Sequence, residues 1–576
     1  MEDRPLILPS HPSEAEVLRL LERYPLPREN GQPIPFDYGT AGFRYQATIL
    51  DSVMVRVGVA AAYRSSQLQQ SVGVMVTASH NDESYNGVKL ADPHGGMMAA
   101  DGEALAVQLA NAPTAQSVLQ LVSVGNGGIV HVGRDTRSHS PALAQLLIRA
   151  AQAMGATVMM HGVVTTPILH YCVAMSNPHY LPPLIPPRPH VLGYYEQIAN
   201  AYMGLLHGVN NSTTTAEPPL VVDCACGVGF AHVQRLNQTL KRLGAKRVFL
   251  AKNGPDEGPL NEGCGSEHVQ KQVMPPQWYS EEEEAPTSYA ASVDGDTDRI
   301  VFFSQVPKFT LCDGDKIAVL ICDFLQSQVS SLETALQHIS DGAHTKEGKP
   351  LKLGVVQTAY ANGASTKYLR QVLGEDRVLI AKTGVKHVHE AAHHNFDIGV
   401  YFEANGHGTV LFGDAYYEFL AHADQHVRGH VALQRLQLLP ALINQAVGDA
   451  LSDLLLVDAI LQIKCWSIND WNGLYTDLPS RQCKVTVEDR TMIRTNTNET
   501  ECTSPAQLQH ELDRIMARCP GSRCFVRPSG TENVVRVYAE AHTPQQADEL
   551  ATQAAKLVHS ICKGVGEPPV FPSSKM

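Results

Sequence analysis

The chain is 576 residues long, more than one hydrophobic core usually serves, so roughly three to five domains are expected from length alone. Apolar residues make up 44% and charged residues 18%, a globular rather than a disordered balance. The net charge of −13 argues against a general nucleic-acid binder, which needs basic surface against phosphate backbones, but leaves room for a local Arg/Lys cleft that takes a small phosphorylated molecule.

The twelve cysteines are scattered and lack paired zinc spacing, with only Cys224 and Cys226 close together, so reduced thiols are expected. The start of the chain, MEDRPLILPSHPSE, has no basic segment followed by a long apolar run, and no stretch of about 18 apolar residues is available to span a membrane. A cytoplasmic protein without membrane or nucleic-acid partners is expected. Asn211-Ser212-Thr213 is then a chance sequon, while Ser574-Lys575-Met576 resembles a peroxisomal address of the SKL type. Oligomeric state is not legible.

In chain order, strand-like runs alternate with helical patterns, which predicts α/β layering. Val72–Val76 predicts a buried strand that runs into a polar loop at Thr77. LPPLIPPRPH at 181–190 marks a first boundary, and NNSTTTAEPP at 210–219 predicts a surface insertion. Leu220–Val222 predicts a second buried strand before DCACGVG. PPQWYSEEEEAPT at 275–287 and DGAHTKEGKP at 341–350 read as further surface insertions, and Ile398–Phe402 as a third strand before EANGHG. Polar loops at the C-terminal ends of buried strands are where open α/β sheets place ligand sites. Near the end, Val534–Glu540 alternates, with Val535, Val537 and Ala539 opposite Arg536, Tyr538 and Glu540. A helix follows, with Thr543 as N-cap, Pro544 in its first turn, Leu550, Ala554, Leu557 and Ile561 as its apolar face, and Gly564 as its end. This predicts a compact α+β unit.

Four loops carry chemistry. In VTASHNDESYNGVKL, residues 76–90, Ser79 ends a strand among small and polar residues, as a nucleophile would, with His80 beside it; Lys89 can return to supply charge or a proton. In SVDGDTDRI, 292–300, Asp294, Asp296 and Asp298 alternate and can converge on one cation. An EF-hand would need Gly where Arg299 stands and Glu where Gln305 stands, whereas hard carboxylate oxygens suit magnesium. In VYFEANGHGTV, 400–410, Glu403, Asn405 and His407 alternate beyond a buried strand and can read sugar hydroxyls, with Lys386 and His387 nearby in sequence. In RPSGTENVVRVY, 527–538, Arg527, Ser529, Gly530 and Thr531 offer a guanidinium, two hydroxyls and backbone N–H groups, a set that suits a phosphate monoester.

These loops in this order resemble the α-D-phosphohexomutase superfamily, from FDYGTAGFR at 36–44 to RPSGTENVVRVYAEA at 527–541. VQTAYANGAST at 356–366, KTGVKHVHEAA at 382–392, FEANGHGTV at 402–410 and NEGCGSEHV at 261–269 are similar to its acetylglucosamine branch. The resemblance implies three α/β domains with mixed sheets and a C-terminal α+β domain around a central cleft, one loop each, at 1–182, 183–302, 303–455 and 456–576. It implies Ser79 as phosphoserine, with Arg44, Lys89 and His80 around it, and one Mg2+ held by that phosphate with Asp294, Asp296 and Asp298. Arg299, Lys386, His387, Glu403, Asn405, His407, Arg527, Ser529, Gly530, Thr531 and Arg536 would bind the sugar phosphate. The implied reaction interconverts N-acetylglucosamine 6- and 1-phosphate through a bound 1,6-bisphosphate, with hexose 1,6-bisphosphate as activator, and feeds UDP-N-acetylglucosamine synthesis. The rivals are the same chemistry on glucose or mannose phosphate, and a silent sugar-phosphate binder. Asp82 and Tyr85 depart from the family's serine loop, where proline and an acidic residue are usual.

Overall fold

The computed structural model describes residues 4–39, 42–125, 127–180, 185–209, 219–279, 289–339, 350–530 and 532–571. Thr531, the tripeptide at 574–576 and most of the stretches expected at 210–219 and 341–350 lie outside them. The beginning of 275–287 is not a surface insertion: Tyr279 is buried edge-on against Phe303, and Trp278 Nε1 donates to Asp223 Oδ1 at 3.3 Å. Two aromatic rings outweigh the polar composition of that stretch.

Three mixed sheets and one antiparallel sheet dominate the described residues. The first runs Leu6–Leu8, Thr157–Val163, Ile129–Arg134, Val72–Val76, Tyr85–Ala91, Phe43–Gln46, with the three middle-sequence neighbours parallel and the rest antiparallel. The second runs Phe249–Lys252, Leu220–Asp223, Ala290–Val293, Ile300–Ser304, Thr310–Cys312. The third runs Val378–Ala381, Leu353–Thr358, Ile398–Phe402, Gly408–Phe412. In both, parallel pairing gives way to antiparallel at the later strands. The fourth, Ser480–Thr486, Val534–Glu540, Arg523–Pro528, is antiparallel throughout.

One local device recurs in all four. Each chemistry-bearing loop joins two adjacent antiparallel strands: Val72–Val76 to Tyr85–Ala91, Ala290–Val293 to Ile300–Ser304, Ile398–Phe402 to Gly408–Phe412, and Arg523–Pro528 to Val534–Glu540. The first of these strands is fully buried in every mixed sheet, as near-continuous apolar runs require when both faces are covered. The expected strands at Val72–Val76 and Ile398–Phe402 keep their bounds, and the one at Leu220 extends to Asp223.

The C-terminal helix runs Pro544–Ile561, and the Thr543 side chain accepts from Gln546 N as an N-cap does. Its core-facing side is Leu550, Ala551, Ala554, Ala555 and Val558, with Leu557 and Ile561 half-buried beside them. The helix stops before Gly564: Lys563 takes the left-handed turn at φ 53°, because Glu488 N bonds its carbonyl and pins it there. On the preceding strand Tyr538 is not solvent-facing. It stacks on Phe525 and meets Tyr360 edge-on, so the last sheet leans on the third.

The second and third sheets share one apolar core with the helices Val191–Leu205, Gly314–Ile339 and Ala450–Lys464. The last of these is apolar all round and almost wholly buried. It buries two aspartates, Asp453 and Asp458, and Asp458 accepts from Tyr202 Oη at 2.6 Å and Tyr289 Oη at 2.9 Å, and pairs with Arg247 Nε at 2.9 Å. The cysteines are free thiols, and among the described residues no helix is long and apolar enough to cross a membrane. Asp458→Ala removes a buried acceptor that Arg247 and the Tyr202 and Tyr289 hydroxyls share. A loss of about 3–5 kcal/mol is expected in denaturant unfolding, with KM unchanged; an unfolding midpoint equal to that of the wild type would contradict it.

Candidate active site

The serine loop is built around a left-handed residue. Ser79 has φ 54°, its N–H donates to Thr77 Oγ1 at 3.0 Å, and it is only 1% exposed. This turn aims Oγ across to the second sheet, where it donates to Asp294 Oδ2 at 2.8 Å, with Asp298 Oδ1 at 3.5 Å. Arg44 comes from the neighbouring edge strand and reaches Asn81 Oδ1 at 3.3 Å. His80 points away from Asp294, with Nε2 3.3 Å from Glu267 Oε2. Burial, then Arg299 and Arg44, hold its pKa well below the usual histidine value, so it is neutral.

The aspartate loop folds on itself: Asp294 Oδ1 accepts from Asp298 N at 3.0 Å and Arg299 N at 3.2 Å. This brings carboxylate oxygens of Asp294, Asp296 and Asp298, all buried, within 4.8 Å of one another. Lys89 bridges Asp296 Oδ2 at 2.9 Å and Asp298 Oδ2 at 2.8 Å, and Thr166 Oγ1 donates to Asp296 Oδ2 at 2.6 Å. Burial and the other two aspartates push Asp294 well above the carboxylate range. Burial opposes ionisation of Asp298 too, but Lys89 and His407 outweigh it and hold that carboxyl well below its usual value. Asp296 is lowered for a similar reason, with Lys89 and Thr166 overcoming burial and Asp298. Asp296 Oδ1 has no hydrogen-bond partner although it is buried. An all-oxygen set with an unsatisfied carboxylate oxygen, facing a serine hydroxyl, fits a hard divalent cation such as magnesium.

The sugar loop closes over this centre. Glu403 N bonds His407 O at 2.9 Å, His407 N bonds Asn405 Oδ1 at 3.0 Å, and His407 Nδ1 donates to Asp298 O at 2.8 Å. Gly406 makes the approach possible: at φ 86°, a Cβ there would lie 2.0 Å from Ile300 O. Lys386 and His387 do not join the loop. Lys386 Nζ pairs with Glu103 Oε2 of the first sheet's layer at 2.9 Å, and its helix turns it into an adjoining cavity. His387 lies half-buried at the start of that helix, outside the residues that line the cleft.

At the far side, Arg527 and Arg536 are directly paired across two antiparallel strands. Like charges opposite each other repel, which makes their common face a place for an anion. Glu499 Oε2 lies 2.8 Å from Arg527 Nε and also accepts from Thr383 N at 3.0 Å. Ser529 N bonds Val534 O at 2.9 Å, and the exposed Gly530 has its carbonyl held by Arg490 at 2.7 Å. Thr531 lies outside the described residues. A cleft of about 250 Å3 is lined by Arg44, Ser79, Lys89, Asp298, Arg299, Glu403, Asn405, His407, Arg527 and Arg536. Thr166, Glu267, Glu499 and Asn261 were not among the site residues read from the sequence: Asn261 and Glu267 fall in the NEGCGSEHV segment without an assigned role, and Thr166 and Glu499 are single polar residues that no spacing signals.

A buried serine facing a carboxylate trio, with the Glu403–His407 loop and an arginine pair around one cleft, is the arrangement of a phosphohexose mutase. Residues 47–117 and 102–179 match the phosphoglucomutase/phosphomannomutase alpha/beta/alpha domain I, and residues 500–557 its C-terminal domain. Residues 313–466 match phosphoacetylglucosamine mutase AMG1, domain III. The chain is 41% identical to the phosphoacetylglucosamine mutase of Arabidopsis thaliana, over 95% of this chain and 98% of that one, and 40% identical to the Homo sapiens enzyme, over 92% and 95%. It therefore belongs to the phosphoacetylglucosamine mutase family. Its fold is similar to the crystal structure of Aspergillus fumigatus N-acetylphosphoglucosamine mutase in complex with GlcNAc-6P and magnesium, with TM-score 0.83, 38% identity and coverage of 96% and 100%. A variant of that enzyme in complex with glucose 1,6-bisphosphate aligns with TM-score 0.82, 38% identity and coverage of 95% and 99%.

Thr166→Val removes the hydroxyl that holds Asp296 and leaves the carboxylate otherwise intact. A second-layer partner of this sort is typically worth about 10-fold or more in metal affinity, so the magnesium concentration for half-maximal activity should rise by roughly that factor. An unchanged magnesium titration would remove Thr166 from the site.

Proposed function

We propose that the chain interconverts N-acetylglucosamine 6-phosphate and N-acetylglucosamine 1-phosphate through a phosphoserine at Ser79. The observation that carries this is the buried Ser79 hydroxyl 2.8 Å from the Asp294 carboxylate, in one cleft with the Arg527–Arg536 pair. In the first half, the bond from Ser79 Oγ to phosphorus breaks as the free sugar hydroxyl bonds to that phosphorus, which leaves a 1,6-bisphosphate. The bisphosphate turns end for end, and the other phosphoryl group returns to Ser79. Free hexose 1,6-bisphosphate would recharge the serine and so act as activator.

Roles follow from position. Asp294, Asp296 and Asp298, with the serine phosphate, would hold one Mg2+, which when bound supplies positive charge against the phosphoryl oxygens. Lys89, Arg44 and Arg299 add fixed positive charge at the same end. Lys89 keeps its proton, because Asp296 and Asp298 outweigh the effect of burial. Glu403 and Asn405 read sugar hydroxyls, with His407 anchoring their loop to Asp298. Arg527, Arg536 and the backbone around Ser529 and Gly530 grip the phosphate that is not reacting. The same reading divides the chain at 1–182, 183–302, 303–455 and 456–576, one loop to each part. It makes the protein a supplier of the 1-phosphate for UDP-N-acetylglucosamine synthesis.

Peptide mass analysis of the active enzyme should find phosphate on Ser79, and Ser79→Ala should lose nearly all turnover because the covalent route is gone. Normal activity in that variant would sink the nucleophile assignment. Initial rates should be higher with N-acetylglucosamine 6-phosphate than with glucose 6-phosphate, and the reverse order would favour the glucose rival.

Arg527 offers a second, independent check. A guanidinium can bond phosphate in bidentate fashion, and a charged hydrogen bond of this sort is worth about 1.5–3 kcal/mol, or roughly 10- to 150-fold. Arg527→Ala should lower kcat/KM at least about tenfold, Arg527→Lys should recover only part, and more bisphosphate should escape into solution. Unchanged KM with no added release would show that this loop does not hold the distal phosphate.

A further inference from the structure

The segment NEGCGSEHV at 261–269 resembles one branch of the superfamily yet carries no role in the reaction as described so far. Its side chains meet the serine loop at three consecutive residues. Asn261 Nδ2 donates to Ser79 O at 3.0 Å and to Asn81 O at 3.0 Å. Between them, Glu267 faces the His80 ring at 3.3 Å. Carbonyl oxygens only accept, so the partners themselves fix which end of the Asn261 amide faces them.

A second donor takes the same two carbonyls from the opposite layer. Arg137 Nη2 bonds Asn81 O at 2.6 Å and Ser79 O at 3.3 Å. Arg137 is buried and ion-paired with Asp135, whose Oδ1 also accepts from Ser140 Oγ at 2.5 Å. Asn261 is anchored in turn, with φ 60° and its N–H on Ala225 O at 3.0 Å. Gly295 of the aspartate loop presses on the same point: a Cβ there would lie 2.8 Å from Ser79 O and 3.0 Å from Asn261 Nδ2. Only glycine leaves room for that contact. A left-handed serine persists only where its surroundings over-determine it, and these donors do so at the carbonyls of Ser79 and Asn81 on either side of His80.

We infer that Asn261 is a positioning residue: acting through the carbonyls of Ser79 and Asn81, it locks the serine loop to the second sheet and holds Ser79 Oγ on line with the aspartate trio for both phosphoryl transfers. This rests on Ser79 being the phosphoserine. Asn261 does not line the cleft, so its loss misaligns the nucleophile without weakening the substrate's grip.

The test uses the full chain with Asn261→Ala, Asn261→Asp and Asn261→Gln. Asn261→Ala should lower kcat about tenfold with KM for N-acetylglucosamine 6-phosphate within about twofold. Asn261→Asp should be worse, since a carboxylate then faces two carbonyl oxygens, and Asn261→Gln should recover part. Phosphorylation of Ser79 by glucose 1,6-bisphosphate should slow in the same proportion, and amide hydrogen exchange should quicken only in the peptide covering 77–84. Wild-type kcat and phosphorylation rate in Asn261→Ala would overturn the inference, as would faster exchange throughout the chain, which marks a merely structural role. Ser79→Ala run in parallel separates the two readings. Activity in Ser79→Ala removes the phosphoserine on which the clamp rests. A dead Ser79→Ala beside a fully active Asn261→Ala overturns the clamp alone.

Discussion

Three carboxylates buried within 4.8 Å of one another are costly unless positive charge and hydrogen bonds come to them from elsewhere, and the rest of this structure is arranged to bring them. Lys89 arrives from the first sheet, Thr166 from the helix that follows that sheet, and the His407 imidazole from the third sheet, bonded to the Asp298 carbonyl. The Asp294 side chain meanwhile folds back to take two N–H groups of its own loop. Lys89, Thr166 and His407 are all far from the trio in sequence. The aspartate loop can be buried only when the sheets around it are already packed, so the site and the tertiary fold are one requirement.

The repeated hairpin explains how four separate layers meet at one point. In each, an antiparallel turn at the end of a buried strand projects a short loop in a direction set by the sheet's register. Close approach then depends on single residues. Gly406 allows the sugar loop to lie against Ile300, whose N–H bonds its carbonyl at 3.1 Å. The resulting cleft brings Ser79, Lys89 and Asp298 into one cavity with Arg527 and Arg536.

Much of this was legible in the sequence because it is local. The strands before the serine loop and the Glu403 loop are apolar runs, and the close spacing of Asp294, Asp296 and Asp298 puts three carboxylates on one short loop. Ser79 lies on such a loop and Arg527 on the strand that leads into one, so both could be read without long-range information. Gly564 as a helix end was a local reading that failed for a non-local reason: the chain turns one residue earlier, where Lys563 is tied to Glu488. The beginning of the stretch at 275–287 misled in the same way, since Tyr279 meets Phe303 and Trp278 meets the Asp223 carboxylate only after the second sheet has formed, while 280–287 lie outside the described residues.

The sequence by itself determined which polar and charged residues stand on or beside the four loops, because hairpin geometry and carboxylate spacing act over a few residues. Only the tertiary structure decided which side chains those residues meet. Asn261 sits 182 residues from Ser79 yet bonds its carbonyl. Glu499 steadies Arg527, and Lys386, which lies close to the sugar loop in sequence, is drawn away to Glu103. Contacts of this kind join single polar residues across independent elements, and pairing at such separations leaves no periodic mark in the chain. It is fixed by how the sheets pack.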